Sequence, residues 1–387
     1  MRTIGVVTVG RSDFGLYRPI LREICATRGL RLNLFVTGMH LSPEFGLTVE
    51  HIRKEGFKDL ELVESLLSSD TPVGIAKSMG LGTVGFADAF GRNRPDLLLV
   101  LGDRFEMHAA ALAALPFNIP VAHIHGGEIT EGAIDEALRH SITKLSHLHF
   151  PASHIYAKRI RQLGEEDWRI IVSGAPSLDN LRMTPIPPRS ELAAVLKRPL
   201  PDTYVLVTYH PVTLESNRAK WQVRELLAAL EAARCSVLFT MPNADTNGRV
   251  IRAAIEKYVE RHFESQWVEN LGSLYFTAMS NAAAMVGNSS SGLIEAASFK
   301  LPVVNVGIRQ GGRERPPNVV DCENARLDVL RALKRVLSDG FRRTRCSGMN
   351  PQDSGGAAKI IARALLKVPL NDRLIRKKFI DHKGCGK

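Results

Sequence analysis

Short apolar runs, most of them ending in a glycine-marked polar loop, alternate with stretches of helical spacing along the chain. The first spans 3–9, is rich in β-branched residues and stops at Gly10. Leu16, Ile20, Leu21 and Ile24 then repeat at the intervals of one helix face. Further strands are predicted over 31–37, 96–101, 121–125 and 170–172, with helices over 75–90, 107–115, 134–145 and 155–163 between and after them. A strand that is apolar throughout, not at every second residue, is covered on both faces. A helix between successive strands lets them run parallel. This alternation excludes a helical bundle and a β-sandwich and predicts the α/β class.

The pattern pauses at Pro185, Pro187, Pro188, Pro199 and Pro201 and then restarts. Strands are predicted over 204–208, 237–241, 284–286 and 303–306. Helices are predicted over 221–233, 249–259, 273–282, 293–298, 326–337 and 357–366. A chain of 387 residues is too long for one ordinary core. We expect an N-terminal Rossmann-like domain over 1–180, a linker over 181–203, a C-terminal Rossmann-like domain over 204–366 and a basic tail over 367–387.

Apolar residues make up 44% and charged residues 24%, which excludes a disordered chain. The net charge of +11 is concentrated, since 341–387 holds twelve Lys/Arg against three Asp/Glu. It is therefore a property of the C-terminus and weak support for nucleic-acid binding. No apolar run approaches the roughly 18 residues that cross a bilayer. The five scattered cysteines form no CxxC pair, as suits a reducing compartment. A cytoplasmic protein that binds neither membrane nor nucleic acid is expected.

Five unusual loops follow predicted strands: GRSDFG (10–15), GDRFE (102–106), HIHGGE (123–128), HPVT (210–213) and GNSSSG (287–292). In an open parallel sheet such loops gather at one edge, where ligands bind. The serine-rich loop opens a short helix that holds Glu295. Backbone amides and the Ser289 and Ser290 hydroxyls suit phosphate, and Glu295 suits the hydroxyls of a ribose; plain helix capping is the other reading. Arg11 and Arg309 are guanidinium candidates for phosphate, although Arg11 also suits a surface pair with Asp13. Asp103 reads either as a helix N-cap or as a catalytic carboxylate, with Arg104 beside it as a counter-charge. Asp135, Glu136 and Arg139 share one helical turn. His123 and His125 alternate on a strand, so with Glu128, His140, His147 and His149 nearby they admit a metal site; hydrogen bonding is the alternative. His210 is a functional candidate against a capping role. GxxxxGK[ST] does not occur, and the one GxGxxG, at 80–85, falls inside the helix predicted over 75–90 and not at a strand-to-helix turn, which weakens NTPase and dinucleotide readings.

Taken in order, VTVGRSDFG, VTGMH, LGDRFE, HIHGGE, IDEALRHSITKLSHLH, SGAPSLDNL, YHPVT, PNADTN, VGNSSSGLIEA and NVGIRQGGR resemble the hydrolysing UDP-N-acetylglucosamine 2-epimerases. That family includes the bacterial sialic-acid-pathway enzymes and the epimerase half of the bifunctional animal enzyme. The resemblance implies two Rossmann-like domains facing across a cleft, the GT-B arrangement, with UDP held mainly by the second. It implies UDP contacts from Arg11, Arg104, His210, Asn243, Ser289, Ser290, Glu295 and Arg309, with Asn270 by the uracil. It places catalytic groups at Asp103, His125, Asp135 and His210. Many relatives carry Glu where this chain has His125, and Glu128 is a spare carboxylate beside it. Gly15 replaces a serine that contacts UDP in the animal enzyme.

The reading is a hydrolysing 2-epimerase that converts UDP-N-acetylglucosamine to N-acetylmannosamine and UDP, in sialic-acid-type biosynthesis. No cofactor and no metal are expected, and a homo-oligomer, dimer or tetramer, is the family expectation. The alternatives are the same chemistry on UDP-2,4-diacetamido-2,4,6-trideoxyglucose, a non-hydrolysing epimerase, a GT-B glycosyltransferase and a UDP-sugar sensor.

Overall fold

The computed structural model describes the chain except Asp70, Gly132, Thr184, Leu200, 243–246, Met349 and 382–387. It divides into two compact units. The first comprises Met1–Glu128, Asp135–Met183 and Gln352–Lys387, and the second Ile129–Ile134 and Thr184–Pro351.

The first unit is built on six strands: β1 (Arg2–Thr8), β2 (Leu30–Thr37), β3 (Leu60–Val63), β4 (Leu97–Leu101), β5 (Val121–Ile124) and β6 (Leu148–Phe150). Their order is β3-β2-β1-β4-β5-β6, and every pairing is parallel. β4 is buried at all five positions. This is why it reads as an unbroken apolar run and not as an alternating one. The second unit repeats the design with β7 (Val205–Thr208), β8 (Val237–Thr240), β9 (Gln266–Val268), β10 (Ala284–Gly287), β11 (Val303–Val306) and β12 (Val319–Cys322). Their order is β12-β11-β10-β7-β8-β9, again all parallel. Each sheet thus reverses its winding once, at β1/β4 and at β7/β10. These are the topological switch points where α/β sheets open a ligand crevice beyond the strand C-termini.

The α/β expectation of two Rossmann-like halves holds. The edge strands β3, β6, β9 and β12 are not among those predicted; β3, β9 and β12 are only partly buried and so lack the uniformly apolar run that marks β4. The run over 170–172 is not a strand; Ile170 makes only an isolated bridge to His149.

The C-terminal segment departs from the expected domain order. The helix Ala357–Lys367 belongs to the first unit, where Ile361, Ala362 and Leu365 join the core that contains Ile4, Leu21 and Ile24. The basic stretch after it is docked on the same unit. The wholly buried Arg169 donates to the carbonyls of Arg373 and Leu374, both at 2.8 Å. Lys377 Nζ donates to the carbonyls of Lys144 at 2.8 Å and Ser146 at 2.6 Å and pairs with Glu165 at 2.9 Å. Of the basic side chains in this stretch, Lys377 thus serves intramolecular docking. Among the described residues no helix is long and apolar enough to cross a membrane.

Candidate active site

The loops after β1, β4 and β5 carry the candidate groups of the first unit. Arg11 is the first residue of the helix Arg11–Ala26 and is exposed. Its turn is built by Asp13, whose carboxylate accepts from Thr8 Oγ1 (2.7 Å), Val9 N–H (2.9 Å) and Gly10 N–H (2.7 Å). Asp13 thus faces inward to the main chain instead of making the surface pair with Arg11. Burial, outweighing these hydrogen bonds, pushes the Asp13 carboxyl up to about 6. Thr8 donates to Asp13, so the Nε2–H of His40, 3.0 Å from the same hydroxyl, is the donor to it. Burial holds His40 down to about 3.

After β4, Gly102 turns the chain at φ +73°. Arg104, not Asp103, is the N-cap of the helix Phe105–Ala114. Asp103 Oδ2 instead meets the Nη2 group of Arg139. Arg104 is not its partner: that guanidinium lies 3.4 Å from the buried Glu106 carboxylate and over the Phe105 ring.

β5 ends at Ile124, so the expected alternation of His123 and His125 breaks down. His123 is fully buried, with Nε2 2.7 Å from the Gly102 carbonyl and Nδ1 3.2 Å from Thr143 Oγ1. Burial, first, and nearby cations hold it down to about 3. His125 adopts the left-handed region at φ +62°. Its Nδ1 lies 2.5 Å from Glu128 Oε1. A carboxylate accepts, so Nδ1 carries the proton and a neutral His125 keeps its lone pair on Nε2. Gly127 is required, because a Cβ there would sit 2.4 Å from the Tyr156 carbonyl. Arg139, on the helix Asp135–Leu145, donates to the His125 carbonyl at 2.8 Å and stands 3.8 Å from Glu128 Oε2. Asp135 and Glu136 open that helix half-buried, and Glu136 bonds His140 at 2.8 Å.

The neighbouring histidines are held by partners within the protein. Both ring nitrogens of His123 are engaged, His147 Nδ1 accepts from Val121 N–H, and His149 bonds Glu165. Among the described residues no group of three His, Cys, Asp or Glu side chains is placed to hold an ion.

In the second unit the loops after β7, β10 and β11 meet at Asn288. Its side chain accepts from His210 N–H at 2.7 Å and donates to the His210 carbonyl at 2.9 Å. The Asn288 carbonyl accepts from Arg309 Nη1 at 3.1 Å and Gln310 Nε2 at 2.9 Å. Gly287, at φ +140°, has no room for a Cβ, which would lie 2.1 Å from the Thr208 carbonyl. Ser289 Oγ is 2.9 Å from Ser291 Oγ, which is 2.7 Å from the Tyr275 hydroxyl. Ser290 caps a one-turn helix, Ser291–Ile294; Glu295 is buried at its end instead of lying a turn inside a longer helix. Asn270 is exposed, its Oδ1 accepting from Gly272 N–H at 2.6 Å. Arg313 donates to the Ile129 carbonyl (3.0 Å) and Thr130 Oγ1 (3.2 Å), so it is not a purely solvated loop residue. Asn243 lies outside the described residues.

The structure therefore gathers Asp103, His125 and Glu128 around Arg139, and His210 and Arg309 around Asn288. The two organising residues were visible in the sequence only as members of motifs, and both are buried. A polar residue with a defined partner in each of two loops is the signal a sequence lacks.

The family profile described as UDP-N-acetylglucosamine 2-epimerase matches residues 22–366. The GDP/UDP-N,N'-diacetylbacillosamine 2-epimerase (hydrolyzing) of Campylobacter jejuni is 39% identical, over 98% of this chain and 99% of its own. The UDP-N,N'-diacetylbacillosamine 2-epimerase (hydrolyzing) of Legionella pneumophila is 36% identical, over 97% and 99%. Among solved structures, the Neisseria meningitidis UDP-GlcNAc 2-epimerase bound to UDP-GlcNAc superposes with a TM-score of 0.78 at 20% identity, over 95% of this chain and all of that one. At that identity the likeness speaks for the fold.

Proposed function

The chain belongs to the UDP-N-acetylglucosamine 2-epimerase family, and on that premise we propose that it is a hydrolysing 2-epimerase of UDP-N,N'-diacetylbacillosamine, that is UDP-2,4-diacetamido-2,4,6-trideoxyglucose. The observation that carries the substrate is identity of 39% and 36%, over nearly the full length, to two relatives named for that hydrolysing activity. This moves the substrate from UDP-N-acetylglucosamine to the alternative that the motifs left open. The two sugars share the 2-acetamido group and differ at C4 and C6.

The chemistry starts with removal of the C2 proton by a base while the C1–O bond to UDP breaks, leaving a glycal and UDP. Water then adds its hydroxyl to C1, and a proton returns to the other face of C2. The net products are the 2-epimeric free sugar and UDP. The C2 proton is weakly acidic, so the step depends on stabilising the departing diphosphate and positive charge at C1. In this reading Arg11, Arg104, Arg309, Ser289 and Ser290 serve the diphosphate, Glu295 the ribose and Asn270 the uracil. Asp103, the His125–Glu128 pair, Asp135 and His210 serve the sugar as acid, base and cation stabiliser. The grouping of Asp103, His125 and Glu128 about one guanidinium supports a shared sugar-side role.

Both UDP-sugars should be offered to the purified protein in D₂O and the products identified by NMR. We expect free 2,4-diacetamido-2,4,6-trideoxymannose with deuterium at C2, and kcat/KM at least about tenfold above that for UDP-N-acetylglucosamine, on the scale of a few pocket contacts. A preference for UDP-N-acetylglucosamine would overturn the substrate. A product still attached to UDP would overturn the hydrolysing assignment.

A further inference from the structure

Arg139 is nearly inaccessible, with 2% of its side chain exposed, whereas its partner Asp103 keeps 20% exposed. The cation therefore stands behind the carboxylate. Its contacts come from two loops that follow the neighbouring strands β4 and β5. Nη2 meets Asp103 Oδ2, Nη1 donates to the His125 carbonyl at 2.8 Å, and Glu128 Oε2 lies 3.8 Å from Nη1. Glu128 in turn holds His125 Nδ1 through its other oxygen at 2.5 Å.

A lone buried guanidinium is costly, and two carboxylates compensate it. Compensation alone would not select this geometry. His125 has its backbone at φ +62°, a conformation that a non-glycine residue keeps only where its surroundings over-determine it. The bond from Arg139 to the His125 carbonyl is one such restraint, and the Glu128–imidazole bond is another. A planar fork can hold an acid from one loop and a carbonyl from the next at fixed angles. An ammonium group, a point charge on a flexible stem, cannot.

We infer that Arg139 is the positioning residue of this site: one buried guanidinium that sets the placement of Asp103, Glu128 and the His125 imidazole together without touching the substrate. The inference rests on the hydrolysing-epimerase reading above, and the tests separate the two. If wild-type protein turns over neither UDP-sugar, that reading fails; if it turns over one and the Arg139 variants behave normally, only this inference fails.

The test is Arg139→Lys, with Arg139→Gln as a second variant, each alone and combined with Asp103→Asn. Single-turnover release of UDP, UDP affinity by calorimetry and a thermal melt are read together. A misplaced reacting group costs about 10²-fold in rate. Arg139→Lys should therefore fold, bind UDP within about threefold of wild type and lose roughly that factor in the chemical step. In the Asp103→Asn background the same change should cost less than about threefold more, because residues acting as one unit are not additive. Fully additive losses would overturn the inference. So would a rate for Arg139→Lys within about threefold of wild type, since a point charge would then replace the fork. Failure of both Arg139 variants to fold would overturn it in favour of a purely structural cation.

Discussion

The side chain of Asn288 holds the main chain of His210 at both ends, accepting from its N–H at 2.7 Å and donating to its carbonyl at 2.9 Å. β7 and β10 are neighbours in the second sheet, and this pair continues their connection past the end of the strands, where ladder bonds stop. Asn288→Leu would remove the Asn288 side-chain bonds to the N–H and to the carbonyl of the buried His210. We expect a stability loss of about 2–6 kcal/mol, from roughly 1–3 kcal/mol for each of the two groups. Urea denaturation measures it. Asn288→Asp keeps one acceptor but turns the donor into a second acceptor facing a carbonyl, and should cost more than a neutral surface change. A loss under about 0.5 kcal/mol in Asn288→Leu, the size of a surface substitution, would mean that the loop is held elsewhere.

Asp103→Asn should fold, bind UDP and lose about 10²–10⁴ in turnover, the range of a general acid–base or charge role. Because Arg104 and not Asp103 caps the following helix, a capping defect is not the competing outcome. Asn keeps the shape beside Arg139 but removes the charge. Steady-state kinetics beside a thermal melt decide the matter. Turnover within a few-fold of wild type would move the assignment to Glu128 or Asp135.

Arg309→Ala should weaken UDP binding by about tenfold or more, since a charge-assisted hydrogen bond is worth roughly 1.5–3 kcal/mol. Arg309 also donates to the Asn288 carbonyl, but Gln310 donates to the same oxygen at 2.9 Å. Stability should therefore change little. An unchanged dissociation constant in calorimetry would remove Arg309 from the binding site.

Glu165 provides a pH-dependent prediction. Burial by itself would raise its carboxyl, but hydrogen bonds and charge from His149, Lys144 and Lys377 outweigh burial and bring it from 4.5 down to about 2. A carboxyl lowered on folding contributes stability that is complete above the unfolded value and is lost as pH falls through the folded one. Wild type should therefore exceed Glu165→Gln in stability at pH 7. The difference should shrink between pH 4.5 and about 2. Denaturant titrations of both proteins at several pH values test this; a gap that does not vary with pH would show that Glu165 contributes shape and not charge.

The class of the fold and the location of the candidate site were legible in the sequence because both depend on short-range patterns. Buried parallel strands are uniformly apolar, as over Leu97–Leu101, and the loops that end them carry the glycines and polar residues of the ligand edge. The resemblance then assigned residues to roles, motif by motif. What only the tertiary structure decided was pairing. Asp103 and Arg104 are adjacent in sequence, yet Asp103 pairs with Arg139, because the parallel register of β4 and β5 and the helix that follows bring that guanidinium behind the loop. His125 was expected to share a strand face with His123, and one left-handed residue removed that alternation. The C-terminal basic stretch looked like a free tail because its partners, Arg169, Lys144 and Glu165, lie some two hundred residues earlier. Periodicity is set by neighbours along the chain, whereas a buried charge takes its partner from whatever the packed sheet places beside it. That choice is written in three dimensions, not in the order of residues.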